Sequence, residues 1–182
     1  MQLMARATGT GFFQESNIMF DQSIEKVIEE TLDRDEQINA LAFIAFLREN
    51  KMLFEREKGY WEDKFYWSIK YNDEYVCSIL IGNTEHSSEP WIVWSDGSGS
   101  KWYERFPLNE KLKEIAWKNV DICGGGDVCG GYCGNPGGIH KKIFGKDFHN
   151  VCLTVFKFDN PNNEAVECLK KLVEIRKNDI QY

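Results

Sequence analysis

The chain has no apolar stretch long enough to cross a bilayer. Its longest unbroken apolar run, Ala40–Leu47, is eight residues, against roughly 20 for a spanning helix. The opening residues, MQLMARATGTGFFQESN, contain one Arg but no apolar core of the length an export signal needs. The expected setting is therefore the reducing cytoplasm, where cysteines read as thiols or metal ligands before disulfides. Basic excess is missing too. Lys and Arg number 22 against 29 Asp and Glu, a net charge of −7. Duplex DNA or RNA demands a basic footprint, so no nucleic-acid partner is expected, and a neutral or cationic partner suits the charge better. Two phosphate loops are absent. Gly-x4-Gly-Lys-Ser/Thr does not occur, and no Gly-x-Gly-x2-Gly links a strand to a helix. Closely spaced Cys-x2-Cys pairs are absent as well, which argues against an iron–sulfur cluster.

What the chain does have is 182 residues, 42% apolar, enough for one domain with a sizeable core. Aromatic residues reach 14% and include six Trp. They fill cores first and serve as ligand platforms second. Glycine is concentrated: eight of fifteen fall between Asp121 and Ile139, together with Cys123, Cys129 and Cys133. This stretch reads as a flap or lid.

Residues 1–20 are weakly patterned and read as an N-terminal arm, and residues 21–182 as a single α+β domain. Asp21 is placed as the cap of a first helix carrying Ile24, Val27 and Ile28 on one stripe. A second helix is predicted from Asp35 to Arg48, with Ile38, Leu41, Ala42, Ala45 and Leu47 on or near its inner face. Then the period falls to two. Met52–Arg56, Phe65–Tyr71, Glu74–Ile81 and Trp91–Ser95 read as strands of an antiparallel meander. Asn72-Asp73 forms one of its turns. Asp96–Ser100 is a loop by composition. Asn109 caps a helix to Asn119. A hairpin about Gly145-Lys146 joins Lys141–Phe144 to Phe148–Phe158, and a last helix runs from Asn162 to Lys177. The predicted architecture is an antiparallel sheet, meander plus C-terminal hairpin, packed against helices, with a Gly/Cys-rich loop insert.

The aromatic meander is the main functional lead. Trp67, Trp91, Trp94, Trp102 and Tyr66, with the carboxylate of Glu74, are expected to wall a pocket for an organic ligand, cationic ones included. No recognisable nucleophile, base and orienting group occur together, so a non-enzymatic binding role is expected. Two other readings stand beside it. Cys123, Cys129, Cys133 and Cys152, with His140 or His149 near enough to complete a mixed set, would suit zinc, although Cys123-x5-Cys129 is wider than usual structural spacing. Cys129 and Cys133 could alternatively form a regulatory disulfide. The arm could instead pair two copies into a homodimer.

The segments FYWSIKYNDEYVCSILI, EPWIVW, FGKDFHNVCLTVFKF and NPNNEAVECLKKLVEIRKNDI resemble a family of small bacterial proteins that are distantly similar to GyrI-like small-molecule-binding domains. The resemblance runs from about Ile38 to the C-terminus and is one of pattern. It implies a sheet-and-helix bowl for cationic, lipophilic compounds, often the sensor half of a transcription regulator. No helix-turn-helix arm precedes the sheet here, and the Gly/Cys insert departs from that fold. The resemblance implies ligand binding for this chain, but not control of transcription.

Overall fold

The computed structural model describes residues 22–58, 64–82, 89–97, 99–124 and 137–181. In chain order these form α1 (Ile24–Thr31), α2 (Arg34–Glu49), β1 (Leu53–Glu57), β2 (Phe65–Tyr71), β3 (Glu74–Ile81) and β4 (Trp91–Gly97). Then come α3 (Trp102–Arg105), α4 (Glu110–Lys118), β5 (Val120–Ile122), β6 (Ile139–Ile143), β7 (Lys146–Asp159) and α5 (Asn163–Gln181). The fold is α+β. Seven antiparallel strands run in the order β1-β2-β3-β4-β7-β5, with β6 also paired to β7, and helices pack on the open sheet. No described helix is long and apolar enough to cross a membrane.

Local chemistry sets most element ends. Ser23, and not Asp21, caps α1: its hydroxyl accepts from the Lys26 amide at 3.3 Å. Asp33 and Glu36 form a reciprocal capping box at the start of α2. Asn109 caps α4 through the Leu112 amide, and Asn162 does the same for α5 through Ala165. Asn72 and Asp73 both adopt positive φ, which gives the two-residue turn the twist that strands β2 and β3 require.

The inner face of α2 differs from expectation. Ile38 is 60% exposed, and the buried stripe is Ala40, Phe43, Ile44 and Leu47. Leu47 belongs to the expected face, and Phe43 and Ile44 to the apolar positions expected with Phe46 to widen it; α2 is apolar almost all round, and its docking on α5 and α1 selects the stripe that is covered. Strand β4 continues through Asp96 and Gly97, which composition had assigned to a loop. The three-residue β5 and the single-turn α3 escape periodicity analysis because each is shorter than one period of evidence.

The registers sort the sheet into two faces. On one, Arg56, Trp67, Ile79, Val93 and Phe158 form a cross-strand row, with Phe54, Ile69, Cys77, Ser95 and Phe156 beside it. Buried residues from all five described helices join most of these in one continuous core. On the other face lie Glu57, Tyr66, Leu80, Ile92 and Asp159 in one row and Glu55, Ser68, Ser78, Trp94 and Lys157 in the next. Leu80 and Ile92 are buried, yet they stand outside the helix-side core. A bulge in β3 changes the parity. Ile69 pairs with Cys77 but Lys70 pairs with Tyr75, so Val76 is the extra residue. Val76 and Cys77 both enter the core, and Tyr75 turns to the face of Ser78.

Candidate functional site

The expected aromatic wall is divided by the sheet. Trp67 and Trp91 lie on the helix-facing side, buried in the core. Trp102 is fully buried there as well, with ring centroids 4.8 Å from Tyr103, 5.9 Å from Phe144 and 6.3 Å from Phe156. These rings interlock as packing. Trp94 and Tyr66 are half-buried on the opposite face. Glu74 is exposed at the end of β3, with its carboxylate 3.6 Å from the Arg176 guanidinium. The six residues therefore do not enclose one hollow. The reason is the two-residue period: Trp91 and Trp94 are an odd number apart in an extended strand, as are Tyr66 and Trp67.

Trp94 and Tyr66 have companions that sequence reading missed. The Tyr66 hydroxyl donates to Ser78 Oγ at 2.7 Å, and the Tyr75 hydroxyl shares a 2.9 Å hydrogen bond with the same oxygen. The Tyr75 hydroxyl also lies 3.5 Å from the Trp94 carbonyl, which it can donate to. Ser68 is the register partner of Ser78. Two phenols, two buried serines and an indole thus share one patch beside Leu80 and Ile92. Burial raises the Tyr75 phenol well above its ordinary value, so it stays a neutral donor and acceptor. At one border Lys70 pairs with Glu55 at 2.5 Å, and at the other Lys157 pairs with Asp159. The signal in the sequence was parity: Tyr66, Ser68 and Lys70 alternate with Phe65, Trp67 and Ile69. The placement of Tyr75 was not readable, because it depends on the bulge.

A second polar cluster sits at the helix-side edge. Asp96 is buried and has φ of +65°, a left-handed conformation that costs a non-glycine residue energy. Its carboxylate accepts from Ser100 Oγ and from Trp102 Nε1, both at 2.6 Å. Arg176 of α5 approaches it at 3.7 Å and also donates to the Tyr75 carbonyl and pairs with Asp179. Burial raises the Asp96 carboxyl, against the opposing pull of Ser100 and Arg176. Lys141 is likewise buried and donates to the Ser100 carbonyl at 2.8 Å; burial lowers its ammonium. Every one of these groups is directed at another protein group. The cluster ties the turn after β4 to α5 and β6, and the Trp102 indole is one of its donors. By contrast, the indole N–H of Trp91 has no hydrogen-bond partner, a cost of about 1–3 kcal/mol for a buried donor.

Of the cysteine set, Cys129 and Cys133 lie outside the described residues, so the zinc set and the Cys129–Cys133 disulfide lie partly or wholly there too. So do the arm of residues 1–20 and most of the Gly/Cys stretch. Cys123 and Cys152 both come to the β5–β7 edge. The Cys123 amide donates to the Asn150 carbonyl at 2.7 Å. Cys152 is half-buried, and burial followed by the charge of Asp121 raises its thiol. No disulfide joins the four described cysteines, and no three His, Cys, Asp or Glu side chains converge on a metal position among the described residues. Cys77 and Cys168 are buried, and desolvation pushes the Cys168 thiol up to about 12. Both are inert packing.

A groove of about 280 Å³ runs between the end of α4 and the start of α5, lined by Lys118, Asn119, Asp159, Asn160 and Glu164 among others. None of the expected wall residues lines it. Its amides are committed to the fold: Asn162 caps α5, Asn119 donates to the Ile115 carbonyl, and Asn160 donates to Glu36.

No protein-family model, curated protein or solved structure matches this chain.

Proposed function

We propose that this protein binds a flat organic molecule, without covalent chemistry, on the sheet face opposite the helices. Trp94 and Tyr66 supply ring surface, and the hydroxyls of Tyr75, Ser78 and Ser68 supply directional polar contacts. The carrying observation is the patch itself. Two half-buried rings and a row of serine and phenol hydroxyls share a face that lies away from the helix-side core. Such a mixture of apolar surface and a few placed hydroxyls is the usual make-up of a small-molecule site. The net charge of −7 favours cationic members of that class, in keeping with what the GyrI-like resemblance implies. Trp67, Trp91 and Trp102 play no part in contact; they hold the sheet on its helices.

The test is a titration of the full chain with a panel of cationic and neutral aromatic compounds, followed by Trp fluorescence. At least one compound is expected to quench emission saturably. Trp94→Phe should abolish that response, and Trp67→Phe should leave it in place. A panel that leaves emission unchanged, or a response that survives Trp94→Phe, would overturn the reading.

A further inference from the structure

We propose that His140 and His149 form a two-imidazole chelate for a divalent transition-metal ion, with Zn²⁺ the best match. This does not rest on the ligand patch described above, which is built on β2, β3 and β4. It also does not use the loop cysteines.

The two histidines stand on neighbouring antiparallel strands, β6 and β7, and both are exposed. Their ring centroids are 4.7 Å apart with planes at 39°. Two imidazoles bound to one tetrahedral Zn²⁺, each at a Zn–N distance of about 2.0–2.1 Å, hold their ring centres about 5 Å apart. The spacing of the two rings therefore matches that of a two-imidazole chelate.

The backbone is shaped to bring them together. Ile139 pairs with Val151 but Lys141 pairs with Phe148, so His149 and Asn150 together oppose His140. Asn150 has φ of +59°, the left-handed residue of this bulge. Gly138, with φ of +64°, passes so close that a Cβ there would lie 2.5–2.6 Å from backbone atoms of Asn150 and Val151. Only glycine lets the strands meet in this way. The bulge re-aims one imidazole toward the other.

A third group completes the arrangement. The Asp147 carboxylate lies 3.5 Å from Nε2 of His140. A carboxylate that accepts from one ring nitrogen of a metal-bound histidine orients the ring and leaves the other nitrogen as the ligand, and Asp147 stands where such a support is needed. Asp147 is also the register partner of Lys142. Lys146 is turned away, with its ammonium over the rings of Trp117 and Phe148 at 5.1 and 5.3 Å. With two protein nitrogens and no third side chain converging among the described residues, the remaining positions belong to water. This is an open, exchangeable site, unlike the closed four-ligand sites that hold folds together.

The experiment titrates the full-length protein with Zn²⁺ alone at neutral pH, followed by calorimetry, and with Co²⁺, followed by absorption. One equivalent is expected to bind without thiolate-to-metal charge-transfer bands. His140→Ala and His149→Ala should each abolish that equivalent, Asp147→Asn should weaken it by about tenfold, and Cys123→Ser should leave it unchanged. All four positions are at the surface or partly so, and circular dichroism checks that each variant folds. Failure to bind Zn²⁺ would overturn the proposal. So would binding that persists in both histidine variants, or Co²⁺ bands that vanish with Cys123→Ser, since the ion would then sit on thiols.

Discussion

The two faces of the sheet use similar residues to opposite ends. On the helix side, Trp67, Trp91, Phe156 and Phe158 meet the helices, and Trp102 nests among Tyr103, Phe144 and Phe156. On the far side, the Tyr66 and Tyr75 hydroxyls both bond to Ser78 Oγ, and the Tyr75 hydroxyl also reaches the Trp94 carbonyl. The comparison teaches that aromatic density alone carries no functional information. What distinguishes the faces is the company the rings keep: aliphatic side chains from α1, α2, α4 and α5 on one, hydroxyls on the other.

The sharpest way to break this contrast is to truncate one ring on each side. Phe156→Ala should cost about 3–5 kcal/mol, because it empties a fully buried ring position at the centre of the core. Trp94→Ala should cost about 1 kcal/mol, since its ring is only half-buried. Urea unfolding of both variants measures the two values, and equal losses would erase the distinction.

A smaller effect separates shape from bonding within the core. Trp102→Phe keeps an aromatic ring but removes the indole donor to Asp96. The expected cost is about 1–3 kcal/mol, most of it from a buried carboxylate that has lost one of its donors. Chemical denaturation reads it, and a loss below about 0.5 kcal/mol would show that Ser100 and Arg176 satisfy Asp96 without the indole.

On the far face, Tyr66→Phe should cost about 0.5–1.5 kcal/mol, the net worth of one hydrogen bond. Tyr75→Phe should cost at least as much, because its hydroxyl meets both Ser78 Oγ and the Trp94 carbonyl. Both bond to Ser78 Oγ, so the double variant should depart from the sum of the singles. Strict additivity in a double-mutant cycle would mean the hydroxyls do not act as one patch.

The smallest effect concerns pH. The Asp96 carboxyl is raised above its ordinary value by burial, so the folded state binds its proton more tightly than the unfolded state does. Between the ordinary carboxylate value and the raised one, stability from this group increases as pH falls. Asp96→Asn carries no titrating group there. The stability of the wild type relative to Asp96→Asn should therefore rise as pH is lowered into that window. A relative decline would mean that the hydrogen bonds from Ser100 and Trp102 outweigh desolvation.

Much of the fold was legible before any coordinates. The strands β2 and β3, the cap Asn109 and the helix α5 follow from period and capping chemistry, whereas the cap role of Asn162 is a finding of the structure. The candidate site was legible only in part. Parity separates Tyr66 from Trp67 and Trp94 from Trp91, but composition had grouped all four. Tyr75 and the pairing of His140 with His149 were out of reach, since each depends on a bulge that shifts register by one residue.

By itself, the sequence determined where the chain extends and where it coils. Those preferences are local: alternation, capping side chains and turn residues act over a few positions. The tertiary structure alone decided which side of each strand would be covered. A two-residue period announces two faces without saying which one a distant helix will seal, and α1, α2 and α5 arrive from opposite ends of the described chain to make that choice.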